Sequence, residues 1–237
     1  MTVGILKSKN QVSSARAEMR RCGIDCASST TERALRKFGL LRGVNVGDRK
    51  KSWDVYRTIR FVEGSVPKNS PVLDIGAHEC EILPILHRLG YADLTGVDLN
   101  PRIREMPHAG AIRYLRANFL DVPCEDGSFG CVTAISVIEH GFDAGRLLTE
   151  MARIIRPGGF FVASVDYWPE KIDTAGTGAY GMDWIIFSRE ELRSFLEQAE
   201  GFGLVPVGAL DFDAGEQVAN WMGKRYTFAW MALKKSP

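Results

Sequence analysis

The sequence predicts an α/β chain, a doubly wound sheet of about seven strands behind a helical N-terminal stretch. Three observations carry that prediction. From Pro71 onward, short Val/Ile/Leu-rich runs alternate with helical stretches, the pattern of a parallel sheet covered on both faces. Residues 1–65 hold few strand-like runs and several segments whose apolar residues recur at helical spacing. Finally, 237 residues at 45% hydrophobic content are enough for one sizeable core, so one main domain with a small added element is expected.

The elements follow in order. "SSARAEMRRC", "STTERALRKFGLL" and "KSWDVYRTIRFVEG" read as helices; in the second, Ser29 or Thr31 can cap the start and Gly39 can close the end. Residues 1–65 are therefore expected to be a helical extension covering the site, and residues 66–237 the ligand-binding domain. The strand runs are "PVLDI", "DLTGVDL", "IRYLRAN", "GCVTAISVI" and "GFFVASV". Between them lie "EILPILHRLG", a short "PRIREM" and "DAGRLLTEMARIIR". A Gly-, Trp- and Tyr-rich loop is expected over residues 166–187, then a helix opened by Ser188 and Glu191 at capping-box spacing. "LVPVGAL" and "RYTFAWMALKK" complete the set of strands.

Charge and cysteine usage narrow the partners. Thirty Lys+Arg against 29 Asp+Glu leave +1, so no global field favours nucleic acid or an anionic membrane, although a local basic patch stays open. The first apolar run, Val3 to Leu6, is too short for a signal-peptide core or a membrane span. Five scattered cysteines are no disulfide framework and favour a reducing, cytoplasmic setting. Cys22 and Cys26 lack a second pair or histidines at zinc-ligand spacing, so no metal is expected.

In an open α/β sheet, ligands bind beyond the carboxyl ends of the strands, near the point where strand order reverses. After the first run come Asp74 and "GAHEC", where Gly76 lets a ligand approach the main chain. After the second comes Asp98, about 20 residues past the loop, where a carboxylate can accept both hydroxyls of a ribose. After the third, Asn118 offers an amide and Phe119 a flat apolar face suited to an adenine ring. Together they outline an adenosine-shaped slot. Singly, Asp98 reads more readily as a helix cap or solvated turn, and Asn118 as a turn residue.

These motifs, in this order, give residues 50–235 a resemblance to the class I S-adenosylmethionine-dependent methyltransferases, especially small-molecule methylating enzymes. "VLDIGAHEC" is similar to the family's cofactor loop and "GVDLNP" to its ribose motif. "NFLDVPCEDGSFGCVTAISVIEH", "EMARIIRPGGFFVASV" and "FSREELRSFLEQAEGFGL" resemble three later family segments. The resemblance implies a Rossmann-like sheet, mostly parallel with an antiparallel edge strand. It also implies S-adenosyl-L-methionine as cofactor, bound by Asp74, Gly76, His78, Asp98, Leu99, Asn118, Phe119 and Ser136. The chain departs from the family at His78 and Cys80, where glycines are common, at Asn118 for Asp, and at Gly130 for Asp. His78 either crowds the methionine end of the slot or donates a hydrogen bond to its carboxylate.

The implied chemistry is in-line displacement on a sulfonium methyl, which leaves alignment, water exclusion and removal of an acceptor proton to the protein. His140 and Asp166 are the candidate bases, or else residues that hold their loops. Tyr167, Trp168, Tyr180 and Trp184 are candidate acceptor-binding aromatics, or else they pack the 166–187 loop onto the domain. The expected function is methylation, chiefly of oxygen, on a small-molecule or glycan-related acceptor, with no nucleic-acid or membrane partner and a homodimer compatible. The rival is a non-catalytic binding or assembly protein that keeps the fold. An NAD-dependent oxidoreductase is disfavoured because "DIGAHEC" lacks Gly-x-Gly-x-x-Gly spacing.

Overall fold

A computed structural model describes residues 3–179 and 181–237. The chain opens with strand β1 (Gly4–Ile5) and helices α1 (Lys9–Arg21), α2 (Thr30–Lys37) and α3 (Ser52–Ser65), with a 3-10 turn over Arg49–Lys51 before α3. The alternating part runs β2 (Val72–Ile75), α4 (Ile82–Arg88), β3 (Leu94–Asp98), a 3-10 turn over Pro101–Glu105, β4 (Arg113–Arg116), β5 (Phe129–Ile135), α5 (Ala144–Ile154) and β6 (Ile155–Tyr167). A small hairpin of β7 (Gly178–Ala179) and β8 (Met182–Asp183) leads to α6 (Arg189–Gly201), β9 (Leu204–Pro206), β10 (Ala219–Trp221) and β11 (Lys224–Lys235).

The main sheet follows the order β1-β11-β6-β5-β2-β3-β4, with β9 and β10 also paired to β11. Strands β2 to β6 are parallel to their neighbours within that group, and β11 runs antiparallel to β6. The ordered path holds seven strands, about the number expected, and with β9 and β10 the sheet counts nine. The two unforeseen ones, β1 and β10, are two and three residues long, too short to show a period. The antiparallel strands β11, β1, β9 and β10 gather at one end of the sheet, beyond β6, and form the expected antiparallel edge. From β2 the chain steps outward to β3 and β4, then returns to place β5 on the opposite flank of β2. That reversal opens a crevice beyond the carboxyl ends of β2, β3 and β5.

Side chains of the parallel strands alternate between two apolar cores. Val72 and Cys131 face the layer containing α3 and α4, whereas Leu73 and Val132 face the layer of α5 and α6. Burial on both faces explains why these strands read as continuous apolar runs. Helix starts follow local chemistry: Ser29 with Glu32 and Ser188 with Glu191 form the capping boxes that open α2 and α6. The expected 166–187 loop is shorter than its bounds, because β6 continues to Tyr167 and Phe187 N donates back to Asp166 O at 2.9 Å.

The first 65 residues are built into the domain. β1 joins the sheet, and the α3 residue Thr58 accepts a hydrogen bond from Trp230 Nε1 at 2.9 Å. Arg16 of α1 is buried, with its guanidinium donating to both oxygens of the buried Glu81 at 2.9 and 2.5 Å, to Asp25 at 2.9 Å and to Ser52 Oγ at 2.9 Å. Glu81 immediately precedes α4, so this one side chain ties α1 and α3 to the loop after β2. Among the described residues no helix is long and apolar enough to cross a membrane.

Breaking a buried pair strands a charge, so Glu81→Ala should cost about 3–5 kcal/mol of unfolding free energy. Urea denaturation checks this, and limited proteolysis should show earlier cutting before residue 50. A loss below about 1 kcal/mol, the value of an exposed pair, would show that Arg16 is no clamp.

Candidate functional site

A cavity of about 1240 Å³ occupies the crevice. One wall comes from the N-terminal segment, through Thr30, Arg33, Gly47, Lys51 and Val55; the other comes from the loops after β2, β3 and β5. Of the residues singled out in the sequence, Gly76, His78, Asp98, Leu99, Phe119, Ser136 and His140 line it.

The loop after β2 is shaped by backbone geometry. Gly76 adopts φ 70°, and a Cβ there would lie 2.2 Å from Val137 Cγ2, so no larger residue fits. Its N–H and that of Ala77 both donate to Val97 O, which fastens the turn to β3. Glu79, at φ 61°, takes a left-handed conformation without being glycine, and its carbonyl accepts from Gly47 N at 2.7 Å. Cys80 has its thiol pushed well up by burial, so it is a packing residue and no nucleophile at neutral pH.

Asp98 ends β3 and organises the loops around it. Oδ2 accepts from His78 N at 3.1 Å and Oδ1 from Asn100 N at 2.7 Å. Each carboxylate oxygen retains a second acceptor site, so the group is held in place and can still accept two hydroxyls. The His78 ring meets Asn100 Nδ2 through Nδ1 at 3.3 Å. With the amide as donor, the imidazole proton is assigned to Nε2, which is buried without a hydrogen-bond partner on the cavity wall. Such an N–H fits an anionic group of a bound ligand. Leu99 and Phe119 supply the apolar faces. These features fit an adenosine with a short carboxylate-bearing tail.

Two cofactor candidates sit elsewhere. Asp74 is fully buried beneath the loop, where it accepts from Thr133 Oγ1 at 2.6 Å; burial pushes its carboxyl up to about 7 against that hydrogen bond. It supports the loop and does not line the cavity. Asn118 is exposed, and its Oδ1 accepts from Leu120 N at 2.9 Å to form the turn after β4.

At the opposite end, Ser136 and His140 line the cavity with Lys51, which ends the charged run "DRKK" and carries no local signal of a buried role. Lys51 Nζ donates to Ser136 Oγ, pairs with Asp166 Oδ1 at 3.3 Å and lies 3.6 Å from the centre of the Phe228 ring. Burial works to lower its pKa, yet the charges of Asp166, Asp54 and Glu139 outweigh that and hold it above the ordinary value. Asp166 is therefore no solvated loop residue. It is buried at the end of β6, bound by Lys51 on one oxygen and by Trp184 Nε1 on the other at 3.0 Å. Glu139 is fully buried with neither carboxylate oxygen hydrogen-bonded, and burial with the nearby Asp166 charge raises it well above the carboxylate range. Burial lowers His140, with Asp166 opposing, so its imidazole is neutral at neutral pH.

The aromatic candidates pack rather than line. Tyr167 is fully buried and donates to Phe212 O at 2.7 Å; Trp184 is buried against Trp221 at 4.8 Å between ring centres. Trp168 is half-buried against the core, and Tyr180 lies outside the described residues. From the 166–187 segment, Met182 reaches the cavity.

Burial also pushes the Asp54 carboxyl up to about 7. A group raised in this way binds more protons folded than unfolded, so its contribution is full below pH 3.8 and is lost as pH rises through about 7. Asp54→Asn, uncharged throughout, should accordingly be more stable relative to the parent at about pH 8 than at about pH 5. Chemical denaturation at both values checks the sign; an equal difference would mean that Asp54 stays ionised in the folded chain.

Comparison with known proteins places this geometry. Residues 73–163 match the methyltransferase domain family. An uncharacterized methyltransferase of Mycobacterium sp. (strain JLS) is 37% identical over 109 residues, covering 44% of this chain and 42% of that protein. A ubiquinone biosynthesis O-methyltransferase of Xanthomonas oryzae pv. oryzae (strain PXO99A) is 29% identical over 116 residues, 46% of this chain and 48% of that one. The matched stretch therefore spans less than half the length of these relatives. The crystal structure of geranyl diphosphate C-methyltransferase from Streptomyces coelicolor A3(2), in complex with Mg2+, geranyl diphosphate and S-adenosyl-L-homocysteine, superposes with TM-score 0.59 at 16% identity, over 99% of this chain and 90% of that one, a likeness of fold. Motif order, sheet topology and the family match agree: residues 73–163 are similar to the methyltransferase domain family, and the fold is that of the S-adenosylmethionine-dependent methyltransferases.

Proposed function

We propose that this chain transfers a methyl group from S-adenosyl-L-methionine to an oxygen of a small-molecule or glycan-related acceptor. The observation that carries the proposal is one continuous cavity. It joins Gly76, His78 and Asp98 at a nucleoside-fitting end to Ser136, Lys51 and His140 at an end equipped for proton removal. At about 1240 Å³ it exceeds the usual size of a pocket for one small ligand, as a site for cofactor and acceptor together must.

The cofactor would supply a methyl carbon on a sulfonium with a neutral thioether as leaving group. In this chain Asp98 would accept the ribose hydroxyls, Leu99 and Phe119 would flank the base, and the His78 Nε2–H would meet the carboxylate. At the far end the neutral His140 imidazole can take the proton of an acceptor hydroxyl. The Lys51 ammonium, fixed beside Ser136 by Asp166, favours negative charge developing on that oxygen. The O-methyltransferase relative supports oxygen as the acceptor atom.

Calorimetric titration with S-adenosylmethionine, its demethylated product and NAD tests the binding half: the first two should saturate and NAD should not. Asp98→Ala should weaken binding by about 2–3 kcal/mol, the value of hydrogen bonds to a charged group. Gly76→Val should abolish it, and tight binding by either variant would move the site elsewhere.

The catalytic half is read by methyl transfer to hydroxyl acceptors. His140→Ala should lower turnover roughly a hundredfold while sparing affinity for the demethylated product, the size expected for a lost general base. Full turnover in that variant would mean that alignment alone suffices and that the acceptor arrives already deprotonated. Saturable cofactor binding without transfer to any acceptor would favour the non-catalytic reading.

A further inference from the structure

Helix α2 is built inside out. It buries none of its residues, unlike the other five helices. Its arginines, not its leucines, fasten it to the protein. Arg33 donates to the carbonyls of Ser28 at 3.2 Å, Val46 at 3.0 Å and Gly47, and Arg36 donates to Ser28 Oγ at 3.1 Å. The apolar side chains face solvent, with Leu35 37%, Phe38 74%, Leu40 74% and Leu41 37% exposed.

Backbone geometry fixes this patch in place. Gly39 at φ 70° ends the helix in a Schellman turn, with Leu40 N donating to Leu35 O at 2.8 Å and Gly39 N to Arg36 O at 3.0 Å. That motif holds the residues at Leu35 and Leu40 side by side, so the apolar tip is preformed. Exposed Lys37 and Arg42 bracket it. From Ser29 to Asn45 the chain carries four basic residues (Arg33, Arg36, Lys37, Arg42) against one acidic residue (Glu32), although its overall charge is +1. The tip adjoins the site: a hollow of about 720 Å³ beside Lys37, Leu41 and Arg42 also touches Glu79 and Arg102, both of which line the main cavity.

We propose that the α2 tip docks on an anionic lipid bilayer, with Phe38, Leu40 and Leu41 entering the boundary between headgroups and acyl chains and Lys37 and Arg42 at the phosphates. The chemistry selects this occupant. Clustered apolar side chains ringed by cations fit an anionic interface, where each basic residue and each buried apolar group adds to binding. A symmetric contact with a second copy would instead bring Lys37 and Arg42 toward their own counterparts, a like-charge arrangement. Docking here would hold the cavity mouth close to the bilayer, where amphiphilic acceptors are concentrated. The inference does not depend on methyl transfer.

Flotation of the full chain with two vesicle types tests it: phosphatidylcholine alone, and equal parts phosphatidylcholine and phosphatidylglycerol. At low salt the chain should float with the anionic vesicles and far less with the neutral ones. Phe38→Ser with Leu40→Ser, and separately Lys37→Glu with Arg42→Glu, should each lower partitioning by roughly tenfold or more. All four positions are exposed, so affinity for S-adenosylhomocysteine should be unchanged and reports that the variants are folded. Three outcomes would overturn the proposal: no binding to anionic vesicles, binding that both double variants retain in full, or a solution dimer of the parent chain that the Phe38/Leu40 variant dissociates.

Discussion

A single buried guanidinium holds the site together. Arg16 reaches from α1 to Glu81, Asp25 and Ser52, and a charge taken out of water this far must be paired on most of its donors or the fold rejects it. Because its partners lie on separate parts of the chain, satisfying it fixes their relative positions. α1, α3 and the loop after β2 are locked as one unit, and the segment between them, with Thr30, Arg33, Gly47 and Lys51, becomes a cavity wall. The loop after β2 and the surroundings of Lys51 line one continuous cavity.

The same logic governs the acceptor end, with the opposite surplus. Lys51 stands among Asp54, Glu139 and Asp166, three carboxylates for one ammonium. Low dielectric does not tolerate that excess of negative charge, and burial answers by raising Asp54 to about 7 and Glu139 well above its ordinary range. Asp166, by contrast, has both a cation and an indole N–H as partners. The result is a Lys51 ammonium fixed beside Ser136, with His140 lining the same cavity, an arrangement consistent with the proposed transfer to oxygen.

The altered loop after β2 shows which of its glycines the geometry requires. Gly76 has both a left-handed φ and no room for a Cβ beside Val137, so it is irreplaceable. His78 sits in a half-buried place where a ring is accommodated and gains a contact with Asn100. The strain has moved to Glu79, whose left-handed backbone is held by Gly47 N and by the Met106 sulfur. The two departures at His78 and Cys80 leave the turn at Gly76 fastened to β3.

The sequence by itself determined what depends on neighbours along the chain. The alternation after Pro71, a cap near Ser29, the capping box at Ser188, Gly76 at its turn and Asp98 past the loop were all legible, because strand period, cap chemistry and glycine geometry act over a few residues. Tertiary structure alone decided the rest. Nothing within a few residues marks Lys51 and Arg16, since Asp166 and Glu81, which fix them, lie 115 and 65 positions away. Asp166, Tyr167 and Trp184 read as loop residues facing an acceptor, but pairing of β6 with β11 carries the first two into the core, and Trp184 packs there against Trp221. The near-neutral total charge concealed α2, whose arginines turn inward and whose leucines turn out, an orientation that periodicity cannot assign because a helical stripe does not say which side the protein is on.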